Sequence, residues 1–214
     1  MGRGSSKAGD GGDLQGKGGD VGTVKNTKDM LSQRGTKQAE VDEVMAVAQR
    51  MNNLFGEGDQ ITQYQTANVS GTTMAYYDTA GNIAINDRYM NNAGMDKAMD
   101  SAIKSGFHPD RGNKSGMQAV ASHEYGHALT DRVAKQLGAK DIESASKTIV
   151  NRAREKTGQK TNMAFAKNIS GYATYNFAEC VAEATSDWYC NGSKAKKESR
   201  AIVSVMNSIL KNGR

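Results

Sequence analysis

From Thr36 the chain sets Val41, Val44, Met45, Ala48, Met51 and Phe55 at helical spacing, and Gly56-Glu57-Gly58 ends the run, which predicts a packing helix. Residues 60–90 change period. Ile61 to Gln65, Thr73 to Tyr77 and Ile83 to Asn86 read as short strands, the last two joined by a turn at Asp78-Thr79-Ala80-Gly81, so a small antiparallel sheet is expected. Helical spacing then returns over Met95–Lys104, Ser115–Leu137, Asp141–Lys156, Asn176–Cys190 and Ser193–Leu210. Gly138, Gly158 and Asn191-Gly192 stand where such helices stop, and a loop from Gly106 to Gly112 separates the first two. The fold class predicted is α+β, with a small sheet and a helical C-terminal half.

Residues 1–30 are dense in glycine, serine, lysine and aspartate and hold almost nothing to bury, so they read as a flexible tail; residues 31–214 read as one domain. Gly11 to Lys17 begins like a phosphate-binding loop. It fails at Gly18, where a Ser or Thr would hold magnesium, and no strand precedes it.

The net charge of +5, from 28 Lys and Arg against 23 Asp and Glu, suggests nucleic acid until it is located. Lys194, Lys196, Lys197, Arg200, Lys211 and Arg214 lie near the end of the chain with only Glu198 opposing them, and this stretch accounts for the whole excess. No aromatic stacking platform accompanies it, so a solvated helix face is the simpler reading and nucleic acid is disfavoured as a partner. No apolar run reaches the ~18 residues of a membrane span, and the N-terminus lacks the apolar stretch of a secretory signal. Cys180 and Cys190, ten residues apart on one expected helix, are too distant to bridge. They read as free thiols in a reducing compartment, such as the cytoplasm of a bacterial host or a phage particle.

Two of the chain's three histidines fall in His123-Glu124-Tyr125-Gly126-His127, in the middle of the helix expected over 115–137. Residues four apart share a helix face, so both imidazoles can reach one zinc ion, with Glu124 beside them to take a proton from zinc-bound water. Met117, Val120, Ala121, Ala128, Leu129 and Val133 mark the helix as largely buried, and polar groups buried without partners cost several kcal/mol, so this cluster needs a reason. A third protein ligand is required. Thr130 and Val133 stand where a downstream Gly and His would complete a three-histidine site, and His108 lies upstream in a loop. A carboxylate is therefore expected, from Glu179, Glu183 or Asp187 on one face of the next-to-last helix, or from Glu143.

The downstream run Ser170-Gly171-Tyr172-Ala173-Thr174-Tyr175-Asn176-Phe177-Ala178-Glu179, continued to Glu183, together with the His-Glu-x-x-His motif, resembles the catalytic domain of anthrax lethal factor and related zincin-like metallopeptidases of bacteria and phages. The resemblance spans about Tyr76 to Leu210, but its specific part is two short motifs. It implies a zincin fold whose small sheet packs on the active-site helix. It also implies that His123, His127 and Glu179 bind one zinc ion, that Glu124 is the general base, that Tyr172 stabilises the oxyanion and that Glu183 supports a ligand from behind. Where the family tends to carry aromatic residues after the ligand glutamate, this chain has Cys180 and Val181.

The function so implied is peptide-bond hydrolysis by a Glu-activated, zinc-bound water. A polypeptide substrate is expected to add as a strand along a sheet edge near Ile83–Ile85. Two other readings suit the same residues: a zinc-stabilised structural protein, such as a phage head-associated component, and a toxin-like effector protease with a single host target.

Overall fold

In a computed structural model of the chain, residues 23–24, 38–56, 63–67, 72–78, 80–89 and 92–212 are described. The protein is mostly helical. Seven α-helices run in chain order: α1 (Gln38–Phe55), α2 (Asn92–Lys104), α3 (Gly116–Leu137), α4 (Ile142–Thr157), α5 (Asn162–Ile169), α6 (Phe177–Asn191) and α7 (Lys197–Asn212). Four short strands, β1 (Thr23–Val24), β2 (Gln63–Ala67), β3 (Ala75–Tyr77) and β4 (Asn82–Asn86), form one sheet in the order β1-β2-β4-β3. The remainder of the Gly-rich tail, including the Gly11–Lys17 loop pattern, lies outside the described residues.

β3 and β4 form the antiparallel hairpin that the Asp78–Gly81 turn predicts. Asp78 organises that turn, its carboxylate accepting from the backbone N–H and side-chain amide of Asn82, while Gly81 takes a positive φ of 92°. β2 joins β4 in parallel, and Thr23–Val24 adds antiparallel to β2. The parallel β2–β4 pair makes the sheet mixed where an antiparallel one is expected, because β3, the hairpin partner of β4, lies between them in sequence; the strand order corrects a second expectation. Ile83 to Ile85 belong to β4, which has neighbours on both sides, and the terminal strand on that side is β3. Ile83, Ala84 and Ile85 are all fully buried, which is the burial of an interior strand.

The sheet and the other long helices gather around α3. From Gly116 to Asp131 nearly every residue of α3 is buried, so its motif lies inside the protein. The helix begins at Ser115, whose hydroxyl accepts from the Gln118 N–H while the Gln118 side chain accepts in return from the Ser115 N–H. It ends at Gly138, in the left-handed region at φ 61°. On α1, Val41, Val44, Val47, Met51 and Phe55 face the core, whereas Met45 is 38% exposed. The apolar stripe is centred on the valines and leaves Met45 at its rim. The short helix α5 was not legible as apolar periodicity; Thr161 caps it and Phe165, Ala166 and Ile169 bury it.

Candidate metal centre

α3 and α6 form the most extensive helix pair, and Gly126 is the reason they can approach so closely. A Cβ at Gly126 would lie 2.9 Å from the Ala182 Cα and 3.0 Å from the Thr185 Cβ. This glycine inside the histidine motif therefore lets α6 come close enough to bring Glu179 beside the two imidazoles.

The start of α6 is held by two caps. The Asn176 side chain accepts from the Glu179 N–H at 2.7 Å. Glu143, at the start of α4, accepts from the N–H groups of Phe177 and Ala178 with its two oxygens, at 3.1 and 2.9 Å. Glu143 is thereby occupied as a helix cap, which removes it as a rival ligand. Asp187 is also structural, its oxygens accepting from the Asn191 amide and the Lys196 N–H.

His123, His127 and Glu179 remain, all buried, each offering one donor atom with these atoms within 4.8 Å of one another. His123 Nε2 lies 3.1 Å from Glu179 Oε2, and His127 Nε2 lies 3.6 Å from the same oxygen. At that separation His123 Nε2 still makes no aligned hydrogen bond and is buried. Two buried imidazole nitrogens and a carboxylate oxygen that converge on one point are what a shared cation can bind. The group could hold a metal ion.

Behind these residues sits Glu183. Its Oε1 receives the Nδ1 of His123 at 2.8 Å and the Nδ1 of His108 at 2.9 Å, and its Oε2 accepts from the Ser170 hydroxyl at 2.7 Å. Burial would push the Glu183 carboxyl up, but the charge and hydrogen bonds of His108 and His123 outweigh it and hold the pKa at about 2. An ionised carboxylate only accepts, so both imidazoles donate from Nδ1, which leaves Nε2 as the nitrogen that His123 turns toward Glu179. For Glu179 burial acts upward, yet the neighbouring His123 and His127 bring it far below the usual carboxylate range. His123 shows the complement: burial lowers its pKa, but Glu179 and Glu183 raise it well above the ordinary value. Two carboxylates thus demand positive charge at this point.

Glu124 stands next to the group. Burial raises its pKa, partly countered by the nearby histidines and by a hydrogen bond from the Tyr77 backbone N–H, and its Oε1 is buried without a partner. Terminal strand β3 therefore reaches the carboxylate. Tyr172 is buried in a 3₁₀ turn, its ring stacked on that of His123 with centroids 5.9 Å apart and an interplanar angle of 19°. The exposed ring of Tyr175 follows, 5.9 Å from Tyr172.

The six residues to which the resemblance gives a role, His123, Glu124, His127, Tyr172, Glu179 and Glu183, are brought together, whereas Glu143 and Asp187 are engaged elsewhere. Sequence reasoning missed His108, a member of the same cluster. Its one available signal was rarity, as the third of only three histidines; a loop residue 75 positions from its carboxylate partner has no pattern to betray it. No known protein family, curated protein or solved structure matches the chain.

Proposed function

We propose that the protein is a zinc-dependent peptidase, with His123, His127 and Glu179 as the metal ligands. The observation that carries this reading is the buried convergence of those three donors next to a second carboxylate outside the set, Glu124. Two imidazole nitrogens and one carboxylate oxygen are a donor set suited to a catalytic zinc that keeps an open position. A zinc ion there would supply Lewis acidity, polarising a peptide carbonyl and acidifying water.

The remaining roles fall to the chain. Glu124, made more basic by burial, takes the proton from the attacking water and passes it to the leaving amine. Tyr172, beside His123, donates a hydrogen bond to the oxygen on which charge develops. Glu183 fixes the tautomer and orientation of His123. An extended polypeptide would lie along β3, the terminal strand that touches Glu124, and not along β4.

The test combines metal analysis with cleavage of a peptide library by zinc-loaded protein. Wild type should carry one zinc per chain and hydrolyse peptides. Glu124→Gln should keep the zinc and lose cleavage, and Tyr172→Phe should lower kcat about 10²–10³-fold with unchanged zinc content. Stoichiometric zinc without any hydrolysis would favour the zinc-stabilised structural protein, and activity surviving in Glu124→Gln would overturn the assigned base.

A further inference from the structure

His108 lies outside both sequence motifs, yet it is buried and its Nδ1 is spent on the same Glu183 oxygen that receives His123. Its position is built from both sides. Gly106 takes φ 72° at the end of α2, and the backbone carbonyls of Gly106 and Phe107 accept from the N–H groups of Gly171 and Tyr172, each at 2.9 Å. A Cβ at Gly171 would sit 3.1 Å from the Gly106 oxygen, so glycine permits this approach. Further along the loop, the Asn191 amide donates to the Asp110 carbonyl at 2.7 Å and anchors it to α6. The ring itself packs edge-on against Tyr172 and His123, with centroids 5.5 and 6.3 Å apart.

His108 is not a fourth ligand, since it falls outside the set of donors that converge within 4.8 Å. We infer that His108 is a positioning residue of the metal centre: with Ser170 it clamps the Glu183 carboxylate so that Oε1 stays aligned on His123 Nδ1, and so orients the His123 ring for the metal. The geometric reason is that Oε1 is held from two directions, by His123 on α3 and by His108 on a separate loop, while Ser170 holds Oε2; without His108 the Oε1 end keeps only His123 and can shift with that ring. The inference rests on the reading of His123, His127 and Glu179 as a zinc site.

The experiment is zinc affinity of the full chain, measured by chelator competition, with the visible spectrum of the cobalt-substituted protein as a report on ligand geometry. His108→Leu removes the donor, and His108→Asn keeps an amide donor in a similar place. Outer partners of metal-ligating histidines are worth 10–100-fold in affinity, and His108 acts one bond further out, so His108→Leu should weaken zinc binding about tenfold and shift the cobalt bands. His108→Asn should stay within about threefold of wild type, with wild-type bands. Wild-type affinity in His108→Leu overturns the inference, and so does equal loss in both variants, which would reduce His108 to a packing residue. Failure of the wild type to bind zinc would instead sink the metal site itself.

Discussion

Glu183 shows how one side chain couples the motif helix, α6 and two loops. Its pKa is held at about 2, below the ordinary 4.5, because His108 and His123 favour the charged form more than burial opposes it. A carboxyl depressed on folding contributes stability that is fully present above its unfolded pKa and is lost as pH falls through the folded one. The window is therefore about pH 4.5 down to about 2. Wild type should lose unfolding free energy across that window relative to Glu183→Gln, which has no proton to take up. Chemical denaturation of metal-free protein at a series of pH values checks this, and parallel curves for the two proteins would contradict it.

Among the elements, the α3–α6 pair decides whether the centre exists. Its two supports are Gly126, which sets the separation, and the caps on α6 from Asn176 and Glu143, which set where its first turn begins. Gly126→Ala should test the first. Alanine is worth about 1 kcal/mol over glycine in a helix interior, but here its methyl meets the backbone of Ala182 at 2.9 Å, where nothing flexible can give way. Overpacking of this kind costs about 1–3 kcal/mol, so a net loss of stability with weakened metal binding is expected in thermal melts with and without zinc. A more stable variant with full metal affinity would show that the helices do not need the glycine. The hairpin illustrates the opposite case, since Asp78 and Gly81 announce it in the sequence and form it locally.

For the molecule as a whole, the helical body encloses what the composition left unplaced. Cys180 and Cys190 are free thiols buried on α6. Burial pushes both up, Cys190 to about 12, so neither is an accessible thiolate near neutral pH. Ellman's reagent should find no thiol in the folded protein and two after denaturation, whereas rapid labelling of the native state would show that α6 opens readily. Among the described residues no helix is long and apolar enough to cross a membrane.

What the sequence by itself determined is whatever depends on neighbours a turn or a few residues away. That covers the helices with their caps and stops, the β3–β4 turn, and the shared face of His123 and His127, because 3.6-residue periodicity, glycine conformations and capping side chains act locally. It also narrowed the candidates for a third metal ligand to a few carboxylates. The resemblance favours Glu179 among them, and the tertiary structure supplies the physical reason by giving Glu143 to the first turn of α6, Asp187 to the loop beyond it, and Glu179 to the histidines. It likewise put β4 inside the sheet and brought His108 to Glu183 across 75 residues. Strand order and buried polar partnerships are contacts between distant segments, settled by which surfaces pack together, and no local spacing records them.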